Sequence, residues 1–262
     1  MAARPYGKLE DAPANRRGIA FNDASLVHLF NTPGSKTTWK YNWWSLDNGN
    51  GRNGGTAHEF VPMLHSDRPD HTGPWAAAID RCVNVGPASA QFPTHVLSFN
   101  EPDLCGGGGA CMQSTRKAVA AHKQHVDSLR KYGDRIKIGS PAVTNQGAPW
   151  GLTWLKVFLQ QSDGCKIDFI AIHWYDAAWN TEYFKQHIRN ARAVANGRPI
   201  WITEFGPRGS EAEVEAFLKE VLPWLDSQAD VHRYAMQMAA PGSLVTSGGN
   251  GLSAVGNVYN TY

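Results

Sequence analysis

The sequence has no long apolar segment and no concentration of charge of either sign. No uninterrupted apolar run reaches the roughly 18 residues that suggest a membrane-spanning helix, so no membrane partner is expected. The 25 lysines and arginines are spread along the chain and nearly balanced by 23 aspartates and glutamates, which gives a formal net charge of +2. Without a basic block, nucleic acid is not an expected partner either.

Motifs for zinc binding and for serine hydrolysis are also missing. The four cysteines form no Cys-x-x-Cys pair, and His122 and His125 occur in a helical pattern without further ligands. No Gly-x-Ser-x-Gly elbow joins a strand pattern to a helix pattern. We therefore expect a protein that needs no metal and no other cofactor.

The N-terminal segment lacks the apolar core of a signal peptide. Residues 1–17 read MAARPYGKLEDAPANRR, and we interpret them as a tail. Either the protein is cytosolic, or it is extracellular, with a secretory leader that is absent from this sequence and first residues that were added for expression. The second interpretation is favoured.

Two of the cysteines are spaced for a small ring. Cys105 and Cys111 flank the run Gly-Gly-Gly-Gly-Ala, which can fold back within a loop. We predict a disulfide between them, which would fit an oxidising compartment. Unpaired thiols at all four cysteines are the alternative.

Short apolar or β-branched runs recur along the chain and predict eight strands, which begin near residues 18, 37, 59, 95, 137, 168, 199 and 232. Several intervals have helical periodicity, most clearly residues 210–225, where Ser210 and Glu213 form a capping-box pattern. This alternation predicts an α/β fold, a single (β/α)8 TIM barrel over residues 18–262. The Gly- and Asn-rich segment 45–58 predicts that a loop replaces the second helix.

Two glutamates stand at the ends of predicted strands four and seven. In a barrel the active site is built where strands end and the following loops begin. Glu101 and Glu204 are 204 − 101 = 103 residues apart in the sequence. Either one alone would be read as an exposed loop acid, but their joint position favours a pair of carboxylates that could hydrolyse a glycosidic bond.

The motifs LSFNEPD, IHWY and WITEFG, together with the early YNW, resemble glycoside hydrolase family 128. Its members are small (β/α)8 β-1,3-glucanases of a clan of retaining enzymes. The resemblance covers the chain from about residue 18 onward. It implies that Glu101 is the general acid/base, that Glu204 is the nucleophile, and that Asn100 binds the sugar 2-hydroxyl.

Neighbouring strand-end residues are candidates to support this pair. His173 and Tyr175 end strand six, beside strand seven, and are expected to donate hydrogen bonds to Glu204 and to contact substrate. Ordinary strand-end polar residues are the alternative interpretation. Asp103 is interpreted as a loop or helix-cap residue.

Aromatic residues on the same face are candidate sugar platforms, because a flat ring packs against the C–H face of a pyranose. Trp44 and Trp179 are the stronger candidates among ten tryptophans, and Tyr41 of the YNW motif is expected to contact sugar as well. Weaker candidates are Trp43, Trp150 and Trp174, whereas core positions are expected for Trp75, Trp154, Trp201 and Trp224. The clan that the sequence resembles often supplies a tryptophan on strand eight. This strand has none, which departs from that pattern, and Tyr234 or Met236 is expected to take part instead.

The sequence as a whole predicts a monomeric, secreted retaining hydrolase that cleaves β-1,3-glucan polysaccharide or oligosaccharide by double displacement. Internal and terminal cleavage both stay open. One alternative is a hydrolase of the same clan acting on a β-1,4-glucan or a mannan. Another is a non-catalytic β-glucan-binding barrel, which would have no need for both glutamates.

Overall fold

The computed structural model describes residues 12–14, 16–48, 58–84 and 93–262. Its eight strands are β1 Arg17–Phe21, β2 Thr37–Tyr41, β3 Glu59–Phe60, β4 His95–Val96, β5 Lys137–Val143, β6 Phe169–Ala177, β7 Ile200–Arg208 and β8 Val231–Ala239. The α-helices are α1 Pro69–Asn84, α2 Thr115–Ala121, α3 Gly151–Gln161, α4 Thr181–Ala195, α5 Glu211–Ser227 and α6 Ala254–Thr261. Shorter helical segments are the 3-10 turns Ala24–Phe30 and Asp127–Arg135 and the π-turn His122–Val126.

The eight predicted strands form one parallel sheet in the order β3-β2-β1-β8-β7-β6-β5-β4. Its two outer strands are β3 and β4, and backbone hydrogen bonds join the segments that follow them. The Leu97 N–H donates to the Pro62 carbonyl over 2.9 Å, and the Asn100 N–H donates to the His65 carbonyl over 2.9 Å. The sheet therefore closes, and the predicted (β/α)8 barrel is confirmed.

The barrel begins before residue 18, so the predicted boundary of the tail is wrong. Arg17 belongs to β1 and is 1% exposed. Its Nε donates to the Tyr234 hydroxyl over 3.2 Å, and its guanidinium lies over the rings of Tyr234 and Tyr259. Arg16 donates from Nη1 to the Val231 carbonyl over 2.9 Å. Both arginines donate to carbonyl or hydroxyl oxygens at the base of the barrel, so they belong to the folded domain and not to the tail.

The segment between β2 and β3 contains no helix in residues 42–48 or at residue 58. The rest of the predicted loop, residues 49–57, lies outside the described residues. Its first part is fixed by an ion pair between Lys40 and Asp47, with 2.7 Å between nitrogen and oxygen.

The outer helices bury one face, as helix α5 shows. The Ser210 hydroxyl accepts the Glu213 N–H and the Glu213 carboxylate accepts the Ser210 N–H, which confirms the capping box. Its apolar stripe is buried throughout: Val214, Phe217, Leu218, Val221, Leu222 and Leu225.

The helical pattern that contains His122 and His125 does not form one continuous helix. It consists of α2, the π-turn His122–Val126 and the 3-10 turn Asp127–Arg135. None of the helices in the described ranges is long and apolar enough to cross a membrane.

Large rings fill the inside of the barrel. Trp201 stacks on Phe169 with 4.1 Å between ring centroids and lies 5.3 Å from Trp39. Tyr41 belongs to the same buried cluster, one layer nearer the carboxyl ends of the strands. These side chains form a rigid floor, and the polar residues at the strand ends stand on it.

Candidate active site

A cleft of about 710 Å³ opens at the carboxyl ends of the strands. Glu101 and Glu204 both line it, although each side chain is largely buried. The barrel brings them together because β4 and β7 end at the same face. Their joint position agrees with the prediction from the strand pattern.

His173 of β6 lies between the two carboxylates. Its Nδ1 is 2.8 Å from Glu101 Oε1, and its Nε2 is 3.6 Å from Glu204 Oε1. The hydrogen bond predicted from His173 to Glu204 is therefore wrong, since the bond goes to Glu101. The reason is the ring orientation: Nε2 is hydrogen-bonded to the Thr203 hydroxyl over 2.9 Å.

The two carboxylates favour the charged form of His173. Complete burial would lower the pKa of the imidazole, but the negative charge of Glu204 and the hydrogen bond and charge of Glu101 outweigh it. The pKa of His173 is raised above its ordinary value. In its protonated form the ring can donate to Glu101 from Nδ1 and to the Thr203 hydroxyl from Nε2.

Glu204 accepts hydrogen bonds from two aromatic residues. The Tyr175 hydroxyl donates to Oε2, as predicted, and the Trp43 indole N–H donates to Oε1 over 2.7 Å. Burial, followed by the charge of Glu204, raises the pKa of Tyr175 well above its usual range, so its hydroxyl stays a neutral donor. The two donors satisfy both oxygens of Glu204 and hold the carboxyl group in one orientation.

Comparison with known proteins agrees with this geometry. The profile described as glycosyl hydrolase catalytic core matches residues 18–259. A curdlan-specific exo-β-1,3-glucanase of glycoside hydrolase family 128, subgroup III, from Blastomyces gilchristii is 36% identical and superimposes with a TM-score of 0.80. That likeness covers 95% of this chain and 99% of the other. The chain belongs to glycoside hydrolase family 128.

Two further relatives show how far the likeness extends. A variant of a subgroup I endo-β-1,3-glucanase from Amycolatopsis mediterranei, in complex with laminarihexaose, is 25% identical with a TM-score of 0.73, covering 94% of this chain and 98% of that one. Alkali-sensitive linkage protein 1 from Schizosaccharomyces pombe is 30% identical in an alignment of 264 positions, gaps included, that covers 94% of this chain and 44% of that protein. The chain thus spans less than half the length of this relative.

The predicted disulfide loop forms one wall of the family 128 cleft. Cys105 and Cys111 are bonded, and Gly108 within their loop lines the cleft. The Gly108 carbonyl accepts hydrogen bonds from Asn100 Nδ2 over 3.3 Å and from His65 Nε2 over 3.0 Å. Burial lowers the pKa of His65 to about 4, so the ring is neutral at neutral pH. The loop is held against the strand end that carries Glu101.

Asn100 lines the cleft, and its side-chain oxygen is available to accept a hydrogen bond. Its side chain is 4% exposed, and Oδ1 has no hydrogen-bond partner among the described residues. A buried acceptor without a partner is costly, so a ligand hydroxyl would be favourable there. Its contact with the sugar 2-hydroxyl stays a prediction.

Asp103 caps a helix, as predicted. The helix is α3, which follows β5, whereas Asp103 itself lies in the loop after β4. Its carboxylate accepts the N–H of Gly151, the first residue of α3, over 2.8 Å. It also accepts the Thr144 hydroxyl over 2.6 Å. The two loops that follow β4 and β5 are joined by these bonds.

The predicted sugar platforms differ in their positions. Tyr41 is fully buried, donates to the Thr203 carbonyl over 2.8 Å, and lies 5.0 Å below the ring of Trp43, so direct contact with sugar is not supported. Trp44 and Trp179 are 37% and 75% exposed, outside the residues that line the cleft. Trp174 is a core residue at 0% exposure.

The eighth strand completes the cleft through residues near its carboxyl end. Tyr234 and Met236, the candidates, are 1% and 5% exposed and belong to the core. Gln237, at the strand end expected from the sequence, and Met238 line the cleft instead, and a cis peptide bond joins them.

The same atoms could also ligate a cation. One ligand atom each from Glu101, His173 and Glu204 lies within 4.8 Å of the others. The imidazole nitrogens are already engaged with Glu101 and Thr203. The expectation that no metal is needed stays a prediction.

Proposed function

We propose that this family 128 chain hydrolyses β-1,3-glucan by double displacement, with retention at the anomeric carbon. The supporting observation is the spacing of the two acids, since oxygen atoms of Glu101 and Glu204 lie within 4.8 Å of each other. Retaining enzymes need about 5–5.5 Å between carboxyl groups, whereas inverting enzymes need about 6.5–9.5 Å to admit a water molecule.

In the first displacement Glu204 attacks the anomeric carbon and Glu101 gives its proton to the departing glycosidic oxygen. The bond to that oxygen breaks, and an ester forms between the sugar and Glu204. The hydrogen bonds from Tyr175 and Trp43 support the assignment of Glu204, because donors to both oxygens favour a carboxylate over a carboxylic acid.

In the second displacement Glu101 accepts a proton from water as the water oxygen attacks the anomeric carbon. The ester bond breaks, Glu204 regains its carboxylate, and Glu101 is protonated again for the next cycle. His173 lies between the two acids, 2.8 Å from Glu101 and 3.6 Å from Glu204, and its raised pKa favours a positive charge there.

The choice of substrate is supported by the relatives. The Blastomyces gilchristii enzyme is described as curdlan-specific, and the Amycolatopsis mediterranei variant binds laminarihexaose. We propose that polysaccharide or oligosaccharide with β-1,3 linkages is the substrate here, that Asn100 contacts it, and that the chain works as a monomer without metal or cofactor.

We also propose an extracellular site of action. The disulfide between Cys105 and Cys111 supports it, because such bonds persist in oxidising compartments. Measuring secreted against intracellular protein in the source cells tests this proposal, and a purely cytosolic pool with free thiols at both positions would contradict it.

The decisive experiment follows the anomers of the first products by proton NMR during digestion of laminarin. Retention predicts that the β-anomer appears first and mutarotates later. Early α-anomer would contradict double displacement. Parallel digests of cello-oligosaccharides and mannan test the alternative linkages, and binding of laminarin without products would favour a non-catalytic barrel.

Variants assign the roles. Glu101→Gln and Glu204→Gln are each expected to lose at least about a thousandfold in kcat/KM on laminarin. Glu211→Gln removes an exposed carboxylate from the first turn of α5 and serves as the matched control, with unchanged activity. Undiminished turnover by Glu204→Gln would exclude it as the nucleophile.

A further inference from the structure

The loop after β5 contacts two residues next to the catalytic candidates: Asp103, near Glu101, and Tyr175, which is hydrogen-bonded to Glu204. On one side lies Asp103, two residues after Glu101 and 1% exposed. Its Oδ1 accepts the Thr144 N–H over 3.3 Å, and its Oδ2 accepts the Thr144 hydroxyl over 2.6 Å and the Gly151 N–H over 2.8 Å. These donors, and the N-terminus of α3, hold the carboxylate in one orientation.

On the other side of the same loop, Asn145 holds β6. Its Oδ1 accepts the Tyr175 N–H over 3.1 Å, and its Nδ2 donates to the Tyr175 carbonyl over 3.1 Å. The side-chain amide of Asn145 therefore pairs with both backbone polar groups of Tyr175. Tyr175 in turn donates its hydroxyl to Glu204. Thr144 and Asn145 are consecutive, so one peptide joins the two sets of contacts.

The backbone at Glu101 needs such support. Its φ is +42°, a left-handed conformation that is unfavourable for a non-glycine residue and persists only when its surroundings fix it. The Glu101 N–H donates to the Ala142 carbonyl over 2.8 Å, and its own carbonyl accepts the Leu104 N–H over 3.0 Å. Asp103 lies inside that turn and is its side-chain anchor to the β5 loop.

We propose that Asp103 is a positioning residue for Glu101, that Asn145 is a positioning residue for Glu204, and that the Thr144–Asn145 peptide couples them into one bridge that sets the spacing of the two acids. The inference rests on the proposed function, because it assigns the two ends of the bridge to an acid/base and a nucleophile. It predicts that damage to each end has a different chemical signature.

Leaving-group chemistry separates the two ends. A glucose leaving group needs the proton of the general acid, whereas 2,4-dinitrophenolate departs without one. The ratio kcat/KM reports only the steps through the first irreversible one, here formation of the glycosyl ester, and so is independent of the second displacement. We compare kcat/KM on laminari-oligosaccharides with kcat/KM on 2,4-dinitrophenyl β-laminaribioside.

Asp103→Asn is expected to lower kcat/KM about 10–100-fold on the oligosaccharide, part of the usual contribution of a general acid, and less than about threefold on the dinitrophenyl substrate. Asn145→Ala is expected to lower both values by a similar factor, since both substrates need the nucleophile. Equal losses on both substrates for Asp103→Asn would overturn the proposal and leave Asp103 a purely structural cap.

Controls keep failures of the inference and of the proposed function apart. Asp168→Asn removes a carboxylate that accepts the Ile138 N–H over 2.7 Å at the opposite end of the barrel, and it should show no dependence on leaving group. Glu101→Gln is the reference: if it lacks the dependence on leaving group, the proposed function fails. If Glu101→Gln shows it and Asp103→Asn does not, only the bridge is wrong.

A second variant covers the case in which Asp103→Asn does not fold. Thr144→Val removes the hydroxyl donor, 2.6 Å from Asp103 Oδ2, but keeps the buried charge and nearly the same volume. It should lower kcat/KM in the same substrate-dependent direction, by a smaller factor. An equal loss on both substrates would again overturn the proposal.

Discussion

Both ends of the barrel hold a glutamate beside a histidine, buried at the cleft and half-buried at the base, but only the base pairs it with an arginine. At the base, Glu59 Oε2 accepts Arg233 Nη2 over 2.6 Å, and Glu59 Oε1 lies 3.6 Å from His95 Nδ1 and accepts the Thr94 N–H over 2.9 Å. The Arg233 guanidinium packs 4.6 Å from the ring of Trp201. We refer to Glu59, His95 and Arg233 as the base cluster.

At the opposite end Glu101, His173 and Glu204 form the site cluster. Within the described part of the chain, His173 is the only cationic side chain within 4.0 Å of either carboxylate. The base cluster matches its charges and stands in packed surroundings, whereas the site cluster has an excess of acid and faces the cleft. Buried titratable groups alone do not identify a functional site; uncompensated charge beside an open cavity does.

The largest predicted contrast is in activity. Glu204→Gln should lower kcat by at least about a thousandfold, or about 4 kcal/mol of transition-state stabilisation. Because the change replaces one of two neighbouring buried acids by a neutral side chain of nearly the same volume, stability should hold or rise. Steady-state kinetics on laminarin and urea unfolding measure both quantities. Simultaneous loss of activity and stability would mean that the site cluster also supports the fold, as the base cluster does.

The converse is predicted for Glu59→Gln. It leaves the Arg233 guanidinium without its anion in a half-buried position at the barrel base, and loss of this charged hydrogen bond should cost on the order of 2 kcal/mol of unfolding free energy. The kcat of the folded enzyme should stay within about twofold of wild type, since no catalytic group moves. Glu215→Gln, which breaks an exposed pair with Lys219, is the control and should cost under about 0.5 kcal/mol. If Glu59→Gln lost no more stability than Glu215→Gln, the base cluster would not stabilise the fold and would not differ from the site cluster in this respect.

The contrast also shows what the sequence could reveal. Strand runs and loop breaks predicted all eight strands, because β-branched and apolar periodicity directly reflects burial. The two catalytic candidates followed from topology, since Glu101 and Glu204 end strands at one face. The YNW motif predicts that Tyr41 contacts sugar, and this is not supported. Side chains alternate along a strand, so Tyr41 shares the inner face of β2 with Trp39. This period-two pattern in the sequence is the signal that predicts a buried Tyr41.

Other features depend on orientation, which the sequence does not encode locally. Trp43 donates to Glu204 from a backbone with φ of +57°, a conformation that no neighbouring residue predicts. The direction of the His173 ring is decided by the Thr203 hydroxyl on the adjacent strand. Gln237 and Met238 line the cleft from the carboxyl end of β8, one and two residues beyond the candidate Met236.

The two clusters should respond to pH in opposite directions. Burial opposes ionisation of Glu59, but the hydrogen bond with His95 and the charge of Arg233 hold its pKa well below its usual range. A lowered pKa stabilises the fold above the ordinary value of 4.5, and that contribution is lost as pH falls. The raised pKa of His173 stabilises the fold below the ordinary value of 6.5, and that contribution is lost as pH rises.

Urea unfolding across pH tests this opposition. The stability difference between wild type and Glu59→Gln should shrink from about pH 6 to about pH 3, and the difference between wild type and His173→Gln should shrink from about pH 6 to about pH 9. The acids facing His173 are Glu101, Glu204 and Asp103. Parallel slopes for the two variants would contradict the opposite titrations of the clusters.

The smallest predicted effect concerns exposed rings at the two ends. Trp179, 75% exposed after β6, is expected to stack on sugar units that extend beyond the cleft, whereas Tyr262, 48% exposed at the end of α6, has no such role. Trp179→Ala should raise KM about fivefold, or about 1 kcal/mol, for long β-1,3-glucans with kcat unchanged. Short oligosaccharides should show no change, because they do not reach the ring. Tyr262→Ala is the matched control, and equal KM shifts for both variants, or a shift independent of chain length, would exclude Trp179 as a sugar platform.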